Sequence, residues 1–267
     1  MIKLIKNNIG IILLGLTALT FVLLLWQLSL LGKNIYTAIS IDSMNWGLSF
    51  REENKEPVGN STKEELREFD AYYIGSTDKK KVYLTFDSGY ENGYTSHILD
   101  VLEKNDVKAS FFVVGGYIED NLDLAKRIVE GGNLLCNHTM DHPDMSNFTN
   151  QDEFNTQLLG VEKIANENGI KLSKFYRPPS GIYNQSNLTF AKELGYKTIF
   201  WSLAYADWHN DNQPTQQDAM NKLMPRLHNG AIILLHSTSK TNSEILERFI
   251  QEAKGEGYEF CLLNELE

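Results

Sequence analysis

Cysteine is scarce in this 267-residue chain, which carries two, Cys136 and Cys261. That scarcity excludes a disulfide-dense mini-scaffold and any site that needs a C-x-x-C pair. Basic charge is also in deficit, with 25 Lys and Arg against 35 Asp and Glu and a net charge of −10. Such a chain would repel phosphates rather than neutralise them, which excludes nucleic acid as the main partner. Internal repeats and low-complexity tracts are missing as well. With 42% hydrophobic and 22% charged residues, the composition is that of a folded protein, not of a disordered or collagen-like chain. The length suits one or two domains.

One long stretch carries no charge. The 23 residues from Ile9 to Leu31 are mostly Leu, Ile, Val, Phe and Ala, enough at 1.5 Å per residue to cross a hydrocarbon core of about 30 Å with some tilt. Lys3 and Lys6 precede it without an acid, so the positive-inside rule keeps the N-terminus cytoplasmic and everything after Lys33 outside. Trp26 lies near the outer end, where an amphipathic ring suits the interface. A cleaved signal peptide would have an apolar region of about 7–15 residues closed by small residues of A-x-A type. This run is longer and finishes Ser29-Leu30-Leu31-Gly32-Lys33. The expected layout is a cytoplasmic tip and membrane anchor over 1–33, an extracytoplasmic stalk over 34–70 and a folded domain over 71–267. The stalk region mixes Asn, Ser, Glu and Lys with Pro57 and Gly59 and shows no sustained period beyond a short helix near Lys63–Phe69.

From Asp70 onwards the pattern becomes regular. Short β-rich runs occur at Lys81–Phe86, Ala109–Val114, Asn133–Cys136, Lys174–Tyr176, Lys197–Trp201, Ala231–Leu235 and Tyr258–Leu262. Between them the periodicity predicts helices over Thr95–Asn105, Leu122–Glu130, Gln151–Asn168, Asn187–Leu194, Thr215–Leu227 and Ser243–Lys254, several ending at a glycine that suits a C-cap. Strand–helix alternation repeated about seven times predicts an α/β fold with a mainly parallel sheet. A barrel-like fold and an open doubly wound sheet both fit that count. Cys136 and Cys261 fall inside strands, where cysteines act as small buried hydrophobes, so both are expected as free thiols.

In parallel α/β folds chemistry collects at the carboxyl ends of the strands. Just past successive runs stand Asp87-Ser88-Gly89, His138 with His142, Arg177-Pro178-Pro179-Ser180-Gly181, Asp207-Trp208 and His236. Each has an ordinary reading by itself. Asp87 before Gly89 is a turn residue, two His four apart are surface or core residues, Arg177 and Asp207 make a structural ion pair, and Trp208 is a core aromatic. Five such groups on one rim form a site hypothesis. His97 and His228 read as helix surface residues, and His209 as a residue of the rim.

Taken in order, Thr85-Phe86-Asp87-x-Gly89, His138-x-x-x-His142, Arg177-Pro178-Pro179-x-Gly181, Asp207-Trp208 and Leu234-x-His236 resemble the five motifs of polysaccharide deacetylases, the NodB-homology domain or carbohydrate esterase family four. The resemblance covers roughly residues 80–263. The run from Thr85 to Thr95 (TFDSGYENGYT), with the lead-ins Asn45-Trp46-Gly47 and Asp70-Ala71-Tyr72-Tyr73, resembles the branch that deacetylates N-acetylmuramic acid on the way to muramic δ-lactam in spore cortex peptidoglycan.

The resemblance implies a distorted (β/α) barrel of about seven parallel strands and an N-deacetylase acting on a cell-wall glycan strand. Asp87 would be the general base, Arg177 would orient it with Asp207 as the arginine's carboxylate partner, and His236 would be the general acid. The Ser180 backbone N–H would face the oxyanion, while Tyr90, Trp208 and Leu234 would line the substrate. His138 and His142, on a helical turn, would hold a divalent metal ion, with zinc the expected one. The family's third ligand is usually the Asp after the base. Here that place is Ser88, a poor ligand, so the ion would rest on two imidazoles. Ala204 stands where the family often has a further Asp, and no role passes to it. The rival readings are deacetylation of N-acetylglucosamine, chitin-like or xylan polymers, or a glycan-binding protein that kept the fold and lost catalysis.

Overall fold

The computed structural model describes residues 19–29 and 43–266. Residues 19–29 form a helix, α1, whose side chains are all exposed. The anchor expected over Ile9–Leu31 extends beyond the described residues at both ends. Among the described residues no helix is long and apolar enough to cross a membrane.

Asp42–Glu267 form a compact unit of their own. It opens with β1 (Met44–Asn45), β2 (Leu48–Ser49), β3 (Val58–Gly59), α2 (Lys63–Arg67) and β4 (Ala71–Tyr72). The long strand β5 (Lys81–Ser88) follows, then α3 (Thr95–Lys104), β6 (Ser110–Val113), α4 (Gly115–Asp120), α5 (Leu122–Glu130) and β7 (Leu134–Asn137). Next come α6 (Gln151–Glu167), β8 (Leu172–Tyr176), β9 (Ile182–Tyr183), α7 (Gln185–Glu193) and β10 (Lys197–Ile199). The unit ends with α8 (Gln216–Leu223), β11 (Ile232–His236), α9 (Lys240–Gly255) and β12 (Glu259–Cys261).

All seven expected strands are present and parallel, joined by β4 as an eighth. The spatial order is β11-β5-β6-β7-β8-β10-β4, with β12 beside the first half of β5. The sheet curls into a half-barrel. Its two ends approach where Leu203, just past β10, bridges Ile233 of β11.

Period-two alternation sorts the side chains. On β5, Val82, Leu84 and Phe86 face a helix-side core that includes Ile98 and Leu102 of α3 and Ile245 and Phe249 of α9. Tyr83, one step out of phase, joins an inner cluster with Phe112, Cys136, Phe175, Ile199, Ile232 and Cys261, one residue from each of the other expected strands. This cluster plugs the half-barrel below the strand ends. Cys136 and Cys261 are buried there as free thiols, as expected.

β4, β9 and α4 escaped sequence reading. β4 is two residues long, too short for alternation to show, and α4 begins with Gly115-Gly116, which hides helical propensity. The stalk also needs correcting, because much of 34–70 is part of the folded unit. β1 pairs antiparallel with β9, and Trp46 is buried against Tyr73 and Phe200. Aromatic burial rather than periodicity holds this segment, so a search for periods missed it. α2 sits where the short helix was expected, capped by a Thr62–Glu65 capping box.

Candidate active site

The inner phase of the strands, carried to their carboxyl ends or just past them, delivers the site. On β5 the step from Tyr83 leads to Thr85 and then Asp87, and on β11 the step from Ile232 leads to Leu234 and then His236. Asp87 and His236 are register partners on these neighbouring strands. The same step carries Cys136 to His138, Phe175 to Arg177 and Ile199 to Trp201. A cleft of about 730 Å³ opens there, lined by Asp87, His138, His142, Ser180, Trp201, Trp208, Leu234, His236 and Tyr90 among others.

Arg177 is wholly buried. Its Nη1 donates to Asp87 Oδ1 at 2.7 Å, its Nε to the Ile199 carbonyl at 3.0 Å and its Nη2 to the Phe200 carbonyl at 3.3 Å. The guanidinium lies 4.2 Å above the Phe112 ring of the inner cluster. Burial acts to raise the Asp87 pKa, but the Arg177 charge, with His138 and His236, outweighs it, so the carboxyl is held below its ordinary 3.8.

The carboxylate partner expected for Arg177 is corrected here. Asp207 instead binds His236, accepting from its Nδ1 at 2.7 Å and from its backbone N–H at 2.8 Å. Asn242 of α9 donates to the same carboxylate and also bonds Tyr205. With Nδ1–H committed, Nε2 is the free nitrogen of His236. Burial acts to lower the His236 pKa, yet the Asp207 charge and hydrogen bond, with Asp87, carry it above its ordinary 6.5. Asp207 and Arg177 are remote in sequence from their partners, and residue types alone do not say which acid meets which base.

His138 and His142 face each other with ring centroids 4.8 Å apart. The turn that carries them is irregular rather than helical, with Thr139 (φ 72°) and His142 (φ 57°) in the left-handed region. Asn137 Oδ1 accepts from the Thr139 N–H, and Thr139 Oγ1 accepts from the His142 N–H, which pins the distortion. His138 Nδ1 donates to the Arg177 carbonyl at 2.8 Å, leaving Nε2 3.6 Å from Asp87 Oδ2. Burial lowers the His138 pKa to about 4 and that of His142 in the same direction, so both rings are neutral donors at physiological pH.

These two imidazoles fit a divalent ion, but Ser88 does not. Its hydroxyl is fully buried and shares a 2.7 Å hydrogen bond with that of Ser237. Among the described residues no group of three His, Cys, Asp or Glu side chains forms a metal-holding cluster.

The remaining expected residues also meet at the cleft. Ser180 sits in a left-handed turn (φ 55°), and no acceptor within the described residues pairs with its N–H. Leu234 forms a buried wall. Tyr90 and Trp208 are 48% and 51% exposed, which makes them rim aromatics. Trp208 is therefore not a core residue. Its ring centroid lies 5.8 Å from that of His236. His97 and His209 are exposed as expected. His228 is not. It is buried, donating from Nδ1 to the Arg226 carbonyl and accepting from the Ser202 hydroxyl at Nε2. Sequence reading missed Trp201, Tyr205 and Asn242. The step of two past Ile199 could have found Trp201, whereas Asn242 gives no signal on an amphipathic helix.

The sequence profile of the polysaccharide deacetylase family matches residues 74–199. The chain is 38% identical over 232 residues to the Bacillus subtilis peptidoglycan-N-acetylmuramic acid deacetylase PdaA, covering 86% of this chain and 88% of that protein. It is 41% identical to an uncharacterized 30.6 kDa protein of Geobacillus stearothermophilus, with 86% and 87% covered. The solved structure of B. subtilis PdaA, a family 4 carbohydrate esterase, superposes with a TM-score of 0.81 at 37% identity, over 85% of this chain and 98% of that one.

Two outcomes are expected. In Asp207→Asn the imidazole loses the charge that favours its protonated form, so the His236 resonance, followed by NMR against pH, should titrate at lower pH than in the wild type. An unchanged midpoint would contradict the pairing. In calorimetric titration with Zn²⁺, His142→Ala should weaken binding by at least the roughly 10–100-fold that outer-shell changes cost, whereas Ser88→Asp should tighten it. Equal affinity in all three proteins would exclude this place as an ion site.

Proposed function

From membership of the polysaccharide deacetylase family, carbohydrate esterase family four, to which this chain belongs, we propose that it hydrolyses the N-acetyl group of N-acetylmuramic acid in peptidoglycan. It is a peptidoglycan deacetylase, and the finer assignment to the muramic sugar draws on its likeness to PdaA along nearly the whole of both proteins.

One observation carries the chemistry. Asp87 and His236 are register partners on adjacent strands at the mouth of one cleft, and their surroundings push them to opposite proton states. A carboxylate pushed toward its ionised form and an imidazole pushed toward its protonated form suit the base and acid that amide hydrolysis requires. Asp87 takes a proton from water as the water oxygen adds to the acetyl carbon. The carbonyl oxygen becomes an oxyanion that the Ser180 N–H can meet, a contact typically worth about 2.7–4 kcal/mol in the transition state. His236 Nε2 then gives its proton to the nitrogen as the carbon–nitrogen bond breaks, releasing acetate and a free amine. Arg177 keeps Asp87 in place throughout. His138 and His142 would hold a divalent ion, zinc being well suited to imidazole, and a bound ion supplies Lewis-acid polarisation. Tyr90, Trp208 and Leu234 offer apolar surface for the sugar ring and the acetyl methyl.

The preferred substrate in this reading is a glycan strand whose muramic acid lacks its peptide. Its lactyl carboxylate shares a ring with the new amine, so closure to a δ-lactam is intramolecular, an advantage of about 7–11 kcal/mol. Incubation with peptide-free glycan strands should release acetate. Mass spectra of the digested strands should show muramic acid first without acetyl and then without water. Asp87→Asn should slow acetate release by roughly 10²–10⁴-fold. Intact acetylation beside an active control enzyme, or faster turnover on N-acetylglucosamine or xylan polymers, would overturn the muramic assignment.

The same reading seats the enzyme in the cell membrane. The charge-free run Ile9–Leu31 would act as a single-pass anchor, with Lys3 and Lys6 in the cytoplasm and the active site outside. Full-length protein should then sediment with membranes and resist alkaline extraction. Recovery in the soluble fraction would refute the anchor.

A further inference from the structure

We propose that Trp46 is a positioning residue for the oxyanion donor, acting through the turn that carries Ser180. This inference rests on the deacetylase reading above. Trp46 lies well before residues 74–199, the stretch matched by the family profile. It belongs to a strap that pairs with the chain just after Ser180.

The strap is tied to the turn by backbone. Met44 pairs with Tyr183 and Asn45 with Ile182, and the Trp46 N–H donates to the Gly181 carbonyl at 2.9 Å. The indole Nε1–H donates to the Trp201 carbonyl, also at 2.9 Å. One residue thus joins the oxyanion turn to the chain after β10, and Trp201 itself lines the cleft.

Ser180 and Gly181 are consecutive left-handed residues (φ 55° and 68°), a conformation that persists where surrounding contacts over-determine it. A Cβ at Gly181 would lie 2.7 Å from the Trp201 ring and 3.1 Å from Trp46 Cβ, so the two tryptophans wall the turn at contact distance. The Trp46 ring is 7% exposed and stacks on Phe200 at 5.0 Å. Phe200 in turn offers its carbonyl to the Arg177 guanidinium. The strap's own shape is closed by Asn60, which donates to the Asn45 carbonyl and accepts from the Gly47 N–H. Removing the indole N–H frees one tie while the ring stack and the backbone bond stay. Removing the ring also removes the stack on Phe200, while the Cβ beside Gly181 stays. Either change lets the Ser180 N–H drift from the place where charge develops, and a misplacement of about 1 Å can cost 10²-fold in rate.

The test uses full-length wild type, Trp46→Phe, Trp46→Ala and Tyr73→Leu. Tyr73 also packs on the Trp46 ring, at 4.9 Å, and gives its hydroxyl to Glu56 rather than to the turn. Acetate release from peptide-free glycan strands gives kcat and KM, thermal melts give the folded fraction, and a phosphonamidate mimic of the tetrahedral intermediate gives an inhibition constant. Trp46→Phe should lower kcat at unchanged KM, and Trp46→Ala should lower it further, towards about 10²-fold. Inhibition by the mimic should weaken in step with kcat/KM. Tyr73→Leu should melt earlier yet keep its kcat. The inference is overturned if Trp46→Phe and Trp46→Ala keep kcat per folded molecule, or if Tyr73→Leu loses as much as Trp46→Ala. A wild type that releases no acetate overturns the deacetylase reading and this inference with it, whereas an active wild type with unaltered variants overturns this inference alone.

Discussion

The buried pair of Arg177 and Asp87 is the constraint on which the site depends. A guanidinium with no solvent exposure must have its donors met by protein, and here one carboxylate and two main-chain carbonyls take them. Those acceptors come from β5 and from the end of β10, on opposite flanks of β8, so satisfying one cation fixes three strand ends. Breaking a buried pair by removing one partner typically costs about 3–5 kcal/mol, because the other charge is left stranded. The Phe112 ring beneath the guanidinium links this pair to the inner cluster that plugs the half-barrel. Catalytic geometry and core packing are therefore one structure.

Above that pair the backbone is held in conformations that residues with a Cβ seldom adopt. Thr139, His142 and Ser180 all lie in the left-handed region, at a typical cost of about 1–3 kcal/mol each. Local hydrogen bonds from Asn137 and Thr139 and the strap around Trp46 hold them there. What the strain achieves is direction. His138 turns toward Asp87 with the His142 ring beside it, and Ser180 faces the cleft. Elsewhere positive φ falls on Asn54, Asp70 and Asp106, residue types that tolerate it, so the costlier cases gather at this rim, the usual mark of a site whose geometry outranks local preference.

Division of labour between the two proton carriers follows from their neighbours rather than from their types. Asp87 sits against a permanent cation that favours its ionised form, while His236 sits against Asp207, which strengthens its hold on a proton. The polar network reaches outward through Asn242 and Tyr205 to α9, so a helix that reads as packing also orients the acid.

Much of this was legible in the linear chain. Seven β-rich runs and the long amphipathic helices announced themselves because burial on one or two faces imposes periods of 2 and 3.6 on residue choice. The polar residues at the strand ends stood out because strand phase carries them to the rim. Asp87, His138, Arg177, Leu234 and His236 needed little more than that phase to be gathered. Other features left no periodic trace. β4 and the strap near Trp46 are too short for a period, and buried His228 is held by the neighbouring Arg226 carbonyl and by the Ser202 hydroxyl from distant chain. Asp207's preference for His236 over Arg177 is a choice between equal charges that distance alone makes. The sequence by itself determined which residues could meet at the carboxyl ends of a parallel sheet, because alternation is a local property. Which acid holds which base, and how far the folded unit reaches toward the N-terminus, the tertiary structure decided, because hydrogen bonds and aromatic burial act between atoms near in space, whatever their separation along the chain.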